Sequence, residues 1–353
     1  MKIVSVLLSD KNGGVEQSFV NYAKMLQQNN CQVLTIVKTN ADFIPDLESN
    51  NINFIEIDNK FGYHDIFCIL KIRKIIKNFK ANYVISHAGR SIVIAKKSLT
   101  FLKIPLIAVN HSNNIKRSLK ADIIFAVNDK ILEKIKEKSI KENYFLIPNS
   151  IEIKEKPLKS KNITISKSKI ITLGSMGRLS PEKNFDTLIK LIRSLLDLDY
   201  KIKLKIAGAG KEEKKLKELI KKLNLEKNIE LLGWVNQKTL FDQIDIFILL
   251  STEETFGMVF LEAAKYQKLI IASDTDGSRM ILKNMENAVI INQKLNITSK
   301  VVEALKNLEK KPELTAKLIE NAYQNSYQNY SNDIISKRMI SILKRIEGAK
   351  FNP

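Results

Sequence analysis

Short apolar runs alternate with longer amphipathic segments along the first half of the chain. The apolar runs have the length of β-strands and lie at residues 2–8, 32–37, 52–57, 82–86, 104–109, 122–127 and 143–147. The amphipathic segments repeat apolar residues at helical spacing and lie at residues 15–28, 65–79, 89–102 and 129–138. Strands that alternate with helices are typical of a parallel, doubly wound α/β sheet, which is the fold we predict.

The same alternation begins again in the second half of the chain. Segment 151–168 is rich in Lys and Ser, has almost no periodicity and is predicted to be a linker. Apolar runs then follow at 170–176, 203–207, 229–235, 244–250 and 268–273. Ser331 is expected to cap a final helix that has one broad apolar face. We therefore expect a first domain at 1–150, a second at 169–330 and a terminal helix at 331–353.

Length and composition agree with two globular domains in a reducing compartment. The chain has 353 residues and 44% hydrophobic content, which is too much for one ordinary core. Cys31 and Cys68 lie within apolar segments and lack metal-ligand spacing, so we expect no metal site and a cytoplasmic protein. The first apolar run is too short for a signal sequence or a membrane span, and we predict no transmembrane segment.

Positive charge is concentrated in the first half of the chain. The formal net charge is +20, and Lys outnumbers Arg by 50 to 8. Between Asp65 and Asp122 there is no acidic residue, yet there are 12 Lys or Arg residues, many on the polar face of the predicted helix 65–79. This face is either an ordinary solvated surface or a contact for anionic lipid. We do not expect nucleic-acid binding, because no helix-turn-helix, zinc spacing or RNA-binding aromatic pair accompanies the charge.

Two carboxylates eight residues apart follow a buried apolar run in the second half. Glu254 lies in a predicted loop, and Glu262 lies on a helix whose neighbouring residues are mostly apolar. A glutamate among apolar residues is rarely buried without a partner, so Glu262 lies either on the solvent edge of the helix or against a ligand. A ligand rich in hydroxyl groups would bind to both carboxylates. The amides of Phe256, Gly257 and Met258 would face an anion at the helix start.

The loop after the run at 170–176 places cations where a helix dipole disfavours them. Ser180 is expected to cap the next helix, and Pro181 to be its first residue. Arg178 and Lys183 then add positive charge to the positive end of that helix. An anion bound at the helix start would remove the conflict, so we predict that both residues bind one.

These segments resemble the retaining glycosyltransferases of family 4, whose Glu-x7-Glu and Gly-Arg-x-x-x-x-Lys-Asn signatures occur here in the same contexts. The resemblance covers nearly the whole chain. It implies the GT-B fold, in which two Rossmann-like domains with doubly wound parallel sheets face each other across a cleft. The first domain would bind the acceptor and the second the nucleotide sugar, and the terminal helix would return to the first domain.

The resemblance also assigns roles to individual residues of the second half. Glu262 would hold the ribose of the donor, and Glu254 would contact its sugar. Arg178 and Lys183 would bind the diphosphate together with the amides of residues 256–258. The segment 229–235 resembles the one whose backbone reads the nucleobase, here at Val235, although a simple strand and turn explains it nearly as well.

Further candidate residues follow predicted strands of the first half, where ligands of open α/β sheets bind. Gly13 and Gly14 let a backbone approach a phosphate closely, and a tight turn would need them equally. The family has a Gly-rich loop here, so Gly14 is assigned to the donor and Gly13 to the acceptor. His111 matches the family's histidine that contacts the donor sugar near the reacting carbon. His87 is either a second acceptor contact or a hydrogen-bonded structural residue.

The chain departs from the family around the strand at 268–273. Gln267, Leu269, Asp276 and Met280 stand where the family usually has Gly, Pro, Gly and Glu. These positions shape the loop near the donor sugar, so the resemblance leaves the identity of that sugar open. The diphosphate-binding residues and both carboxylates match the family pattern.

The prediction from sequence is therefore a retaining glycosyltransferase that uses a UDP- or GDP-linked sugar and needs no metal or other cofactor. Glu254, His111, Arg178 and Lys183 are its predicted catalytic residues. The acceptor would be a lipid-linked or surface glycan, as in lipopolysaccharide biosynthesis, and the enzyme would be cytoplasmic or peripheral on the inner membrane face. The alternatives are a nucleotide-sugar 2-epimerase of the same fold and a non-catalytic relative that binds membrane or nucleic acid. A covalent glutamyl intermediate also stays open.

Overall fold

The structure is a computed structural model that describes residues 1–11, 13–140, 142–155 and 163–348. The chain forms two compact units. The first consists of Met1–Glu152 and the segment from Tyr330 onward, and the second consists of Ile153–Asn329. Part of the predicted linker, residues 156–162, and the end of the predicted terminal helix, residues 349–353, lie outside the described residues.

The elements follow the alternation that the sequence predicts. The strands are β1 (Lys2–Leu7), β2 (Gln32–Lys38), β3 (Phe54–Ile57), β4 (Tyr83–His87), β5 (Leu106–Asn110), β6 (Ile123–Ala126), β7 (Tyr144–Leu146), β8 (Ile170–Met176), β9 (Lys201–Ala207), β10 (Ile229–Gly233), β11 (Ile246–Leu249), β12 (Leu269–Ser273) and β13 (Val289–Ile291). The helices are α1 (Gly14–Gln28), α2 (Ile44–Ser49), α3 (Ile66–Phe79), α4 (Gly89–Ser98), α5 (Asp129–Lys138), α6 (Phe185–Leu196), α7 (Glu213–Lys222), α8 (Gln237–Phe241), α9 (Met258–Lys265), α10 (Asp276–Ile281), α11 (Ile297–Lys310), α12 (Pro312–Tyr330) and α13 (Asn332–Gly348).

The first unit contains a seven-stranded sheet in the order β3-β2-β1-β4-β5-β6-β7. All its strand pairs are parallel. The central strands β4 and β5 are buried along their whole length, which explains their continuous apolar sequences. Strand order reverses between β1 and β4, and ligands of doubly wound sheets bind at such a switch point, beyond the carboxyl ends of the strands.

The second unit contains a six-stranded parallel sheet in the order β10-β9-β8-β11-β12-β13. Its switch point lies between β8 and β11. Apolar residues of β8, β9 and β11 pack with those of α6 and α11 to form its core. The two Rossmann-like α/β units thus confirm the predicted fold class.

The last helix, α13, belongs to the first unit. It buries Ile335, Met339 and Leu343, and the hydroxyl of Tyr83 donates to the backbone carbonyl of Leu343 at 3.5 Å. The start of the helix follows directly on Ser331, whose hydroxyl accepts from the amide of Ile334 at 3.4 Å.

Helix α6 begins later than the sequence suggests. Residues Pro181–Lys183 form a short 3-10 turn, and Asn184 then adopts a left-handed conformation with φ 55°, so the α-helix starts at Phe185. The hydroxyl of Ser180 makes no capping hydrogen bond and donates instead to Oε1 of Glu182 at 2.6 Å. The expectation that Ser180 caps the helix and Pro181 begins it is therefore wrong, because the left-handed residue separates the turn from the helix.

Candidate active site

Two loops that are distant in sequence meet at the switch point of the second sheet. One follows β8 and the other follows β11. The amide of Thr252 donates to the carbonyl of Glu182 at 2.8 Å, and Nδ2 of Asn184 donates to the carbonyl of Leu250 at 3.0 Å. These bonds bring together the Gly-Arg-x-x-x-x-Lys-Asn segment and the Glu-x7-Glu segment.

A partly buried ion pair joins the two loops. Nζ of Lys183 contacts Oε1 of Glu254, and their side chains are only 18% and 10% exposed. The hydroxyl of Ser251 donates to the same oxygen at 2.9 Å. Removing charges from water is costly, so such a pair persists only when its partners satisfy each other. The structure thus holds an ammonium group and a carboxylate at the place where the sequence predicts that a diphosphate sugar binds.

Arg178 lies on the same loop as Lys183 and is exposed to solvent. Its charge helps to lower the pKa of Glu182, although the hydrogen bond from Ser180 is the larger cause. The stem of Lys183 passes over Gly177, where an added Cβ would lie 3.2 Å from Cε of Lys183. Arg178 and Lys183 therefore both lie at the switch point, one exposed and one paired.

Helix α9 begins at this switch point without a side-chain cap. Its first residue is Met258, and Gly257 precedes it with φ 82°, a conformation that favours glycine. Uncapped amides at a helix start attract anions. Phe256 is buried just before them. The structure therefore leaves the amide groups of this segment without a capping side chain, as the predicted diphosphate contact needs.

Glu262 is on the second turn of α9 and is 4% exposed, so it does not lie on the solvent edge of the helix. Burial raises the pKa of its carboxyl to about 7, and the nearby Lys265 opposes this rise. Within the described residues no hydrogen-bond donor to its carboxylate is found. A buried carboxylate in this state gains stability from any ligand that donates hydroxyl hydrogen bonds.

Sequence reasoning missed two residues that hold the Glu254 loop in place. The amide of Gly277 donates to the carbonyl of Glu254 at 2.7 Å, and an added Cβ there would lie 2.8 Å from the backbone of Phe256. Nε2 of Gln293 donates to the carbonyls of Ser251, Thr252 and Asp274 at 3.3, 3.3 and 2.9 Å. A glycine after a strand is a signal that a search could use, whereas Gln293 carries none.

Three loops continue the hydrogen bonding of the sheet beyond β8, β9 and β10. The amide of Gly177 donates to the carbonyl of Ala207, and that of Gly208 donates to the carbonyl of Gly233. A Cβ on Gly208 would lie 1.9 Å from the carbonyl oxygen of Gly177, so only glycine fits there. Val235 lies two residues after Gly233 and is partly buried. Its contact with a nucleobase stays a prediction.

In the first unit, Gly13 and Gly14 lie where the loop after β1 enters α1. Gly14 is the first residue of the helix, and Gly13 precedes it in an extended conformation without a side-chain cap. This loop is at the switch point between β1 and β4. Their assigned contacts with donor and acceptor stay predictions.

His87 and His111 come together at the carboxyl ends of β4 and β5. Nδ1 of His87 lies 3.0 Å from Nε2 of His111, and the two rings stack at 5.3 Å between centroids. His111 is partly exposed, whereas His87 is fully buried. A direct contact between His87 and an acceptor, one of its two interpretations, therefore does not fit this structure. His87 is instead a hydrogen-bonded partner of His111.

Among the described residues, no group of three or more His, Cys, Asp and Glu side chains is arranged to hold a metal ion. No described helix is long and apolar enough to cross a membrane.

Two Rossmann-like units with polar residues at the switch points define a protein of the GT-B class. Two family models match consecutive parts of the chain. Glycosyltransferase Family 4 matches residues 12–155, and Glycosyl transferases group 1 matches residues 155–325. The chain belongs to this family of glycosyltransferases.

Relatives and solved structures agree with that assignment. An uncharacterized glycosyltransferase of Haemophilus influenzae is 27% identical over 86% of this chain and 88% of its own length. The lipopolysaccharide core biosynthesis glycosyltransferase LpsE of Rhizobium meliloti is 19% identical over 94% of this chain and 96% of its own. The crystal structure of Anabaena HepE in complex with UDP and glucose matches with a TM-score of 0.82 and 18% identity, over 98% of this chain and 99% of that one. At 18% identity, the match to HepE shows a shared fold.

Proposed function

We propose that this glycosyltransferase moves a sugar from a UDP- or GDP-linked donor to a hydroxyl group of a lipid-linked or surface glycan, with retention of the anomeric configuration. The partly buried pair of Lys183 and Glu254, together with the start of α9 that no side chain caps, carries this proposal. A cation and the amide end of a helix suit a diphosphate, while the nearby carboxylates suit sugar hydroxyls. The LpsE relative acts in lipopolysaccharide core biosynthesis, which supports an acceptor of that kind.

The second unit would bind the donor. Glu262 would accept hydrogen bonds from the ribose hydroxyls, and the backbone near Val235 would contact the base. When the donor binds, the ammonium group of Lys183 would turn from Glu254 towards the diphosphate. The carboxylate of Glu254 would then accept hydrogen bonds from the donor sugar. HepE was crystallised with UDP and glucose, which supports a nucleotide-sugar donor here.

The reaction breaks the bond between the anomeric carbon and the diphosphate and forms one from that carbon to the acceptor oxygen. Arg178, Lys183 and the first amides of α9 would stabilise the charge that develops on the leaving diphosphate. In the proposed mechanism the acceptor proton passes to that diphosphate, so no metal and no separate base is required. In the first unit, Gly14 and His111 would contact the donor, and Gly13 the acceptor.

Nucleotide binding to Lys183→Ala tests the proposal. Calorimetry with UDP, GDP and their sugar conjugates should show saturable binding of one series to the wild type. The substitution should weaken it about tenfold or more, or about 1.4 kcal/mol, because a charged contact with the diphosphate is lost. Lys190→Ala is the matched control, since Lys190 makes an exposed ion pair with Asp186 on α6 and should bind nucleotide normally. Absence of binding by every nucleotide would contradict the proposal.

Analysis of the product separates the proposed transfer from the epimerase alternative. An epimerase would interconvert the donor sugar without an acceptor, whereas the proposed enzyme leaves the sugar configuration unchanged and needs an acceptor. NMR of the transferred sugar reports its anomeric configuration, so a product of inverted configuration would contradict retention.

We also infer that α3 docks the enzyme on an anionic membrane surface, where lipid-linked acceptors are found. The exposed face of this helix is apolar at its start and basic towards its end. Phe67 is 80% exposed, and Phe101, just beyond the neighbouring helix α4, is 95% exposed. The exposed apolar and basic residues of this face of α3 are Ile66, Phe67, Leu70, Lys71, Lys74 and Lys77. Apolar side chains beside lysines suit the boundary between headgroups and acyl chains.

Cosedimentation with lipid vesicles tests this docking. The wild type should bind vesicles that contain anionic lipid and bind less at high salt, because the lysine contribution is screened. Phe67→Ser combined with Leu70→Ser should reduce the bound fraction several-fold. Ile140→Ser is the control, since Ile140 is an equally exposed apolar residue elsewhere in the unit. Equal binding by the double variant and the control would exclude α3 as the docking face.

A further inference from the structure

His87 has a geometry that the proposed function does not yet use. It is the last residue of β4, and its register partner on β5 is Val109. His111 lies two residues after Val109, so both histidines project from the same face of the sheet. Phe19 and Tyr22 of α1 enclose the His87 ring edge to face, with centroids 5.4 and 4.9 Å away. The ring therefore has a fixed position behind His111.

The backbone that follows His87 is strained. Ala88 adopts φ 61° and ψ 150°, a region that is almost restricted to glycine. Strain of this kind persists only where the surrounding structure determines the conformation, and it is concentrated at functional sites. The strained turn is thus a second feature, besides the rings of Phe19 and Tyr22, that indicates a fixed position for His87.

The protonation of the pair follows from burial and hydrogen bonding. Burial lowers the pKa of His87 well below its usual range, and also lowers the pKa of His111. Both rings are then neutral near pH 7, and each carries one N–H group. The short distance between Nδ1 of His87 and Nε2 of His111 requires that one N–H lies between them. Two arrangements satisfy this requirement.

The arrangements differ in what they leave at Nε2 of His87. This nitrogen is buried and has no hydrogen-bond partner within the described residues. If His111 donates, Nε2 of His87 must carry a proton, and an N–H group is buried without an acceptor. If His87 donates, Nε2 keeps only a lone pair. Buried N–H groups without acceptors are rarer than under-satisfied acceptors and are costly, so the second arrangement is favoured.

We propose that His87 is a positioning residue that donates from Nδ1 to His111 and so fixes the tautomer in which His111 offers its own Nδ1–H to a hydroxyl of the donor sugar. The sugar contact rests on the proposed function. In this state His111 is a neutral hydrogen-bond donor and does not accept the acceptor's proton. His87 then acts on the reaction only through the orientation and tautomer of His111.

Nitrogen-15 NMR of the full-length wild type tests the tautomer directly. The chain has three histidines, and His64→Gln and His111→Gln assign their ring signals. We expect His111 to show a protonated Nδ1 and a bare Nε2, and His87 to show a protonated Nδ1. A proton on Nε2 of His111 would overturn the proposal, and this measurement needs no variant of His87.

Kinetics of two His87 variants test the consequence. His87→Phe keeps an aromatic ring between Phe19 and Tyr22 but removes the donor, whereas His87→Asn keeps an N–H near the position of Nδ1. We expect kcat/KM for transfer to fall about tenfold in His87→Phe, as for the loss of one hydrogen bond to a buried group, and to recover largely in His87→Asn. Affinity for the free nucleotide should be unchanged in both, because its predicted contacts are with Gly14 and residues of the second unit and do not include His87 or His111.

The outcomes separate this inference from the proposed function. A wild type that binds no nucleotide contradicts the proposed function. A wild type that binds nucleotide and transfers sugar, with His87→Phe as active as the wild type, contradicts only the role of His87. Equal losses in the Phe and Asn variants, both with normal thermal unfolding, would show that the donor at Nδ1 is not what matters.

Discussion

The switch points of the two sheets have the same topology but present opposite kinds of side chain, charged in one unit and neutral in the other. In the second unit, the strand ends present charges: Lys183 paired with Glu254, an exposed Arg178 and a buried Glu262. In the first unit, they present two histidines that burial keeps neutral. Charge at a strand end is stable when partners compensate it, and here part of that compensation is left for a ligand. In the proposed function the cations Lys183 and Arg178 suit the second unit to the anionic diphosphate of the donor, and the neutral histidines suit the first unit to hydrogen bonding of a neutral group.

The uncompensated charge of Glu262 gives the largest expected effect. Its pKa of about 7 in the folded protein lies above the ordinary value of 4.5. The folded state therefore binds a proton that the unfolded chain has released, and stability is lost as pH rises from about 4.5 to 7. Glu262→Gln removes that loss and should raise the free energy of unfolding by about 3 kcal/mol at pH 8. Urea unfolding at pH 8 and pH 5 measures it.

The gain should be much smaller at pH 5, where wild-type Glu262 is mostly protonated in the folded state. Glu303→Gln is a suitable control, because Glu303 makes only an exposed pair with Lys300, and this variant should be neutral at both pH values. An equal gain from Glu262→Gln at pH 5 and pH 8 would show that ionisation is not its cause.

The same titration should appear in ligand binding. In the proposed function ribose hydroxyls donate to the ionised carboxylate, so a nucleotide sugar should bind about tenfold more tightly at pH 8 than at pH 6, as the ionised fraction rises. A nucleotide sugar is the right probe because its diphosphate does not titrate in this range. Glu262→Gln should bind weakly and without this pH dependence. Affinity of the wild type that does not change with pH would remove the contrast between the two units.

The smaller expected effect concerns the neutral site. Ala88→Gly should stabilise the protein by about 1 kcal/mol, because relief of the strained backbone exceeds the entropic cost of glycine. Ala95→Gly, in the interior of α4, is the opposite control and should destabilise the protein. Thermal unfolding of both variants gives the comparison. A loss of stability in Ala88→Gly would show that the turn after His87 is not strained.

The fold was predictable because its signals are local and repeated. Apolar runs of strand length gave β1 to β12 to within a few residues, since strands buried on both faces need continuous apolar sequence. The three-residue strand β13 was not predicted. The start of helix α6 was predicted wrongly, because a left-handed Asn184 interrupts an otherwise good helix start and no pattern marks it.

The candidate site was predictable only in part. Glu262 could be selected because a carboxylate among apolar residues is unusual. Lys183 was selected because the sequence predicts a cation in the first turn of a helix, although α6 begins only at Phe185. The ion pair between Lys183 and Glu254 could not be derived, since it depends on how two loops 71 residues apart meet. The role of Gln293 could not be predicted for a similar reason, because a glutamine that donates to three carbonyls has the same sequence context as one in solvent.

The place of α13 has a consequence for the order in which the protein is made. The second unit is one uninterrupted stretch, whereas the first needs Met339 and Leu343 to fill its core. Domains usually complete folding from the N-terminus as they leave the ribosome. Here the first unit stays incomplete, with its α13-binding surface uncovered, until the second unit and α13 have also emerged. The unit that is synthesised first is therefore the one that is finished last.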